Sequence, residues 1–225
     1  MGIYEKALEI QTQVNQIKTN LNLDVNTSLD EVVSATVGGG SSGGKYAPRF
    51  VSFYYYTGTE LDQETATLDT SNMTSTKQMF YGCQNITSLD LSHFNTSNVT
   101  NMETMFSQSS KLMTLDLSGW DTSKVTTMRS MFYYCSNLTE LDLSSFTTNK
   151  LTDMSSMFGY CKALTKLDLR NFDFTNIPSS SSIFGSSATS GIPDNCLIIV
   201  KDDTAKTWVT KWFARLTNVK TVAEL

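Results

Sequence analysis

Residues 115–140 read LDLSGWDTSKVTTMRSMFYYCSNLTE, and this stretch returns along the chain at a constant spacing. Its opening leucine has counterparts at Leu89, Leu141 and Leu167, each 26 residues from the next. Within each unit the order is L-x-L-x-x-aromatic, a polar turn, then V/L/I-T-x-M-x-x-M-F-x-x-C/S-x-x-L. The aromatic is Phe94, Trp120, Phe146 or Phe172, and the aliphatic is Val99, Val125, Leu151 or Ile177. The Met–Phe pair is Met105–Phe106, Met131–Phe132 and Met157–Phe158, softening to Ile183–Phe184, with Met79–Phe80 one unit upstream. A fixed period in this range marks a chain built of stacked units, a solenoid. No unit can bury its own apolar residues, so its neighbours must supply burial and hydrogen bonds.

Two hydrophobic periods share each unit. Leu138, Leu141, Leu143 and Phe146 alternate around an LxL centre, which predicts a short strand with one buried face. Val125, Met128, Met131 and Phe132 recur at three and four residues, which predicts a short helix with Thr122 or Ser123 as its N-cap. The expected unit is therefore strand, tight turn, one or two helical turns, and return.

The pattern L-x-x-L-x-L-x-x-F followed by M-F-x-x-C-x-x-L, carried by Ile86 to Leu169, closely resembles the BspA-like leucine-rich-repeat surface proteins. The resemblance extends over roughly residues 50 to 225. It implies an α/β leucine-rich-repeat solenoid over residues 47–192 and a role in surface attachment, with no particular ligand. Cys196–Val200 reads as a buried strand, Thr204–Leu216 as a helix capped by Asp203, and Val219–Val222 as a last strand. This is similar to the strand-helix-strand unit that closes such arrays, here residues 193–225. The family's valine-proline-aspartate step is replaced by Val200-Lys201-Asp202. Trp208 and Trp212 are expected in the core over the last repeat rather than as ligand platforms.

The N-terminal segment, residues 1–37, is of another kind. Ile3, Ala7, Ile10, Val14, Ile17 and Leu21 follow the seven-residue repeat of a coiled-coil helix, with isoleucine at d, which leans toward trimers or larger bundles. An amphipathic helix packing on its own chain is the alternative. Thr27–Glu31 resembles a capping box before a second short helix, Leu29 to Ala35. Gly38-Gly-Gly-Ser-Ser-Gly-Gly44, within a linker at residues 38–46, has the composition of a flexible coil. Arg49–Tyr56 is rich in strand formers and stands where the first, atypical unit should cap the array.

Composition narrows the function. Charged residues make up 17% and the net charge is −5 with no basic cluster, so nucleic acid and anionic membranes are poor partners. No apolar run reaches the length of a membrane span. No export signal, with a basic region followed by an apolar block, is expected at Met1. No catalytic constellation stands out: His93 is the single histidine, and its equivalents are Gly119, Ser145 and Asn171. Cys83, Cys135 and Cys161 share a repeat position with Ser109, which suits a small buried residue. No C-x-x-C or H-x-x-x-H spacing suggests a metal, and no cofactor is expected. Asp90, Asp116, Asp142 and Asp168 form a column at the centre of L-D-L, expected as a solvated ladder rather than a calcium site.

Two surfaces are candidates for ligand binding. One is the outward side of the strands, with Asp90, Asp116, Glu140, Asp142 and Asp168. The other is a tyrosine group, Tyr133, Tyr134 and Tyr160 with Tyr81, whose apolar faces and polar tips suit glycan or protein contacts. The openings MGIYEKALEIQTQVNQIKTNLNL and LDEVVSATVGGG resemble the starts of small phage tail or head-fibre proteins. Together these features predict a non-enzymatic, virion-attached protein for host-surface recognition or decoration. It would be assembled in the host cytoplasm beside other virion proteins and displayed as a homo-oligomer, a trimer through residues 1–23, facing a host glycan or protein. The alternative is a bacterial cell-surface adhesin.

Overall fold

The computed structural model describes Phe53, Tyr55, Tyr56, Thr59 and residues 69–178, 182–185, 187 and 189–225. The heptad helix, the second N-terminal helix, the linker and most of the expected first strand lie outside the described residues.

Among the described residues the regular elements lie toward the C-terminal end. Strands β1 (Glu140–Asp142), β2 (Lys166–Leu169), β3 (Leu197–Val200) and β4 (Val219–Thr221) form one parallel sheet in the order β1-β2-β3-β4. Leu141 lies beside Leu167, and Leu167 beside Ile198, so each repeat leucine stacks on its equivalent. Helix α1 (Asp203–Trp212) makes the crossover from β3 to β4 that a parallel pair requires. A short 3₁₀ turn, Val222–Glu224, ends the chain.

Two expected strands, around Leu89 and Leu115, are not formed, and Leu115 is only half-buried. The difference is electrostatic and positional. Asp116 is flanked by Asp90 and Asp142, and both neighbours repel its charge. Like charges side by side weaken strand pairing. Asp142 instead has Arg170 and Lys166 nearby, and β2 is paired on both edges.

The expected helix in each repeat is also absent among the described residues. Residues 128–134 form consecutive turns in which the N–H groups alternate in direction. Met131, Tyr133 and Cys135 donate to the carbonyls of Met128, Ser130 and Phe132, closing tight turns. Met128, Ser130, Phe132 and Tyr134 donate instead to Asp153, Ser155, Met157 and Gly159 of the next repeat, at 2.8–3.0 Å. An α-helix would consume every N–H internally, so the inter-repeat bonds exclude it. The three- and four-residue spacing was a true signal of burial, since Val125, Met128, Met131 and Phe132 are at most 1% exposed. It was produced by tight turns rather than by helical ones.

That alternation requires residues in the left-handed backbone region. Gln78, Thr104, Ser130, Ser156 and Ser182 all have positive φ, one per repeat. A second set, Gly82, Gln108, Tyr134 and Tyr160, repeats the feature four residues later.

The core is a set of ladders. Phe53, Phe80, Phe106, Phe132, Phe158 and Phe184 stack in near-parallel planes with centroids 5.5–5.9 Å apart. That spacing exceeds ring contact distance, about 3.5–4 Å, so the rings are slipped, as aromatic quadrupoles prefer. Polar groups form ladders as well. Thr96 and Thr122 are buried and donate through Oγ1 to the carbonyls of Asp121 and Thr147, at 3.0 Å each. Thr147 N–H returns a bond to Thr122 Oγ1 at 2.9 Å. Thr122 is therefore a tie between repeats and not a helix cap.

At the C-terminal end Asp202, not Asp203, caps α1, its Oδ1 accepting from Ala205 N–H at 3.0 Å. Ala205, Val209, Phe213 and Leu216 are buried, and Trp208 stacks on Phe174 with centroids 4.8 Å apart. Trp212 departs from the expected core position: it is 44% exposed, with Lys211 Nζ 4.9 Å from its ring centre. The Arg215 guanidinium fixes the turn before β3, donating to the carbonyls of Phe184 and Ile192 and to Asp194.

Candidate ligand-binding surfaces

The outward residues of the L-D-L segments line a shallow groove of about 760 Å³. Ser88, Asp90, Thr114, Asp116, Glu140, Asp142 and Lys166 contribute to it, one set per repeat. The leucines between them point inward, and Leu89, Leu91, Leu117, Leu141 and Leu143 are buried. The groove therefore has a fixed floor and a side-chain inventory that changes from repeat to repeat.

The aspartates do local work first. Asp90, Asp116 and Asp142 each accept, through Oδ1, the N–H of Ser92, Ser118 and Ser144 at 2.8–3.0 Å. These are Asx turns that fold the chain after each L-D-L. Hydrogen bonds hold all three carboxyls below the ordinary aspartate range: the Ser92 hydroxyl foremost for Asp90, the Ser118 N–H for Asp116, and the Ser144 hydroxyl for Asp142. The column is thus anionic at neutral pH. Each of these three aspartates remains exposed.

Asp168 departs from the expected exposed ladder. It is 2% exposed, and Arg170 donates to both its oxygens through Nε and Nη2. A carboxylate tied in this fork is a closing element of the groove rather than a free ligand group. Arg170 stands two residues after Asp168, just past the end of β2, so the two side chains meet within one repeat.

The tyrosines form a second site on another part of the repeat. Tyr134 and Tyr160 stack with centroids 4.1 Å apart and planes 11° from parallel. Tyr133 meets both edge-on, at 5.0 and 5.3 Å. Desolvation, then the neighbouring Tyr160, pushes the hydroxyls of Tyr133 and Tyr134 up from their ordinary value. Tyr81 pairs with Tyr55 instead, at 5.4 Å, and accepts from Gln108 Nε2. Gln84, Gln108, Ser110 and Tyr134 line an open pocket of about 340 Å³. The two glutamines were not singled out by sequence; aligning the repeats puts Gln108 at the position of Tyr134.

The cysteine column has a polar reason. Cys83, Cys135 and Cys161 Sγ donate to the carbonyls of Phe53, Phe106 and Phe132, and Ser109 Oγ to that of Phe80 at 2.8 Å. All four thiols of the chain, Cys196 included, are free and buried. Burial pushes Cys83, Cys161 and Cys196 up to about 12, and Cys135 is raised as well. Thiolate chemistry is remote from such groups. His93 lies edge-on to Phe94, at 5.0 Å. Among the described residues no three His, Cys, Asp or Glu side chains converge as a metal site, and no helix is long and apolar enough to cross a membrane.

Residues 50–164 and 111–190 match the family described as Mycoplasma protein of unknown function, DUF285. No curated protein and no solved structure matches the chain. The match covers the Met–Phe repeats and fits the BspA-like resemblance loosely, while the fibre-like opening lies outside it. Because the matched segments span well over half of the 225 residues, the chain belongs to the DUF285 family.

Proposed function

We propose that this protein is a non-enzymatic recognition module displayed on a surface, with a leucine-rich-repeat solenoid presenting the groove of the L-D-L segments to a host glycan or protein. The observation that carries this reading is the groove itself. Its leucine floor is constant, buried at Leu89 and Leu141 and half-buried at Leu115, while its outward residues run from Ser88 through Thr114 and Glu140 to Lys166. A fixed scaffold with variable projections is what solenoid binding faces use.

The heptad at Ile3–Leu21 and the following glycine linker favour a trimeric virion fibre or decoration protein as the carrier. Oligomeric display would multiply weak single-site contacts. Membership of DUF285, with its fit to BspA-like surface proteins, favours a bacterial cell surface instead. Immunoblotting of purified virions against cell-envelope fractions separates the two carriers.

The groove is tested by Asp116→Asn, Glu140→Gln and Asp142→Asn in one protein. Amide oxygens keep the Asx turns, so the fold should survive while most of the negative charge along the groove is removed. Adhesion of the purified variant to host cells should fall while a cooperative melting transition shows that it is still folded. Equal adhesion by variant and parent would refute the groove as the binding face.

A further inference from the structure

We infer that the pocket between Gln84, Gln108, Ser110 and Tyr134 is a subsite for a neutral sugar ring, independent of the groove. The first observation is the chemistry of its lining. The pocket of about 340 Å³ opens to solvent and is lined by a tyrosine, two carboxamide residues and a serine, with no charged side chain. A pyranose needs that combination: a flat apolar surface for its C–H face and groups that both donate and accept for its hydroxyls.

The second observation is that the platform is built at a cost to the backbone. Tyr134 and Tyr160 have φ of 63° and 60°, in a column where Gly82 shows the residue that takes this conformation freely. The left-handed turn itself belongs to the repeat, since Gln108 shares it at 63°; what Tyr134 and Tyr160 add is a bulky ring at a position glycine fills more cheaply. Within the column Tyr134 stands between Gln108 and Tyr160. Its stacking on Tyr160 at 4.1 Å steadies one side of the ring, and the ring also lines the pocket. Tyr134 is 41% exposed, one of the few large hydrophobic side chains so open in the described body.

The third observation is the support behind the platform. Gly159 occupies the position of Tyr133 one repeat later, and a Cβ there would stand 2.8 Å from the Tyr133 ring. The missing side chain lets Tyr133 lie edge-on to both stacked tyrosines. Lys162 Nζ stands 5.7 Å from the Tyr160 ring centre, covering the far end of the stack. Gln108 is oriented in turn by its bond to the Tyr81 hydroxyl at 2.6 Å, which leaves one amide N–H and the carbonyl oxygen for a ligand.

The test titrates maltoheptaose, cellohexaose, chitohexaose and laminarihexaose into the full chain, followed by calorimetry and tyrosine fluorescence. At least one neutral oligosaccharide is expected to bind, and Tyr134→Gly to weaken it by about tenfold or more. That substitution also removes the left-handed strain, so its melting temperature should equal or exceed the parent's. Gln108→Ala should weaken binding with no loss of stability. No binding by any of the four sugars, or equal binding by Tyr134→Gly, overturns the assignment. Sugar binding that survives Tyr134→Gly but is lost in the Asp116, Glu140, Asp142 variant moves the sugar to the groove and overturns this site alone. Tyr134-dependent adhesion to cells that survives periodate oxidation of their glycans makes the occupant a protein, and overturns it too.

Discussion

Ser109 is the position at which the logic of the repeat is most exposed to test. Its Oγ donates to the Phe80 carbonyl at 2.8 Å, and the residue is 2% exposed. The other donor to that carbonyl is the Cys83 N–H at 3.4 Å, a long contact. Ser109→Ala therefore deletes the better of two bonds in a place water does not reach. A buried neutral hydrogen bond is worth about 1 kcal/mol net. For a chain of this size that lowers Tm by about 2–4 °C. Ser109→Cys should recover most of the loss, because Cys135 and Cys161 make the equivalent bond at 3.1 and 3.0 Å. The assay is urea unfolding of parent and both variants, with midpoints compared at constant slope. If alanine and cysteine give the same midpoint, side-chain volume and not the donor decides this column, and the explanation given for it fails.

Three further outcomes are expected. Thr122→Val keeps the shape but loses both bonds to Thr147, and should cost about 1–3 kcal/mol while Thr122→Ser stays near the parent; equal unfolding midpoints for the two variants would contradict the tie. Native protein at pH 8 should resist iodoacetamide, because Cys83, Cys161 and Cys196 titrate near 12 and Cys135 is also raised, whereas the unfolded chain should take up four labels; rapid native labelling would be incompatible with this burial. Asp90, Asp116 and Asp142 have folded values below the ordinary 3.8, so their contribution is present above that value and is lost as pH falls through the folded ones. The urea midpoint should hold from about pH 7 to 5 and drop below about pH 4, and a midpoint flat to pH 2.5 would show that the Asx turns add no stability.

The 26-residue period, most of the buried positions and the outward placement of Asp90, Asp116, Glu140 and Asp142 were legible in the sequence, with Leu115, Asp168 and Trp212 as exceptions in burial. Burial repeats when composition repeats, so leucine, methionine and phenylalanine columns declare themselves without coordinates. What only the tertiary structure decided is where the backbone hydrogen bonds go. Val125, Met128, Met131 and Phe132 have the spacing of a helix face, yet every second N–H in this stretch is taken by the next repeat. Spacing reports which side chains are buried, and it is blind to a bond partner a whole repeat away. The same blindness hid the role of Thr122 and the donor shared by Ser109 and the cysteines. Each depends on which atoms adjacent units bring within about 3 Å, and stacking fixes that only once all the units are in place.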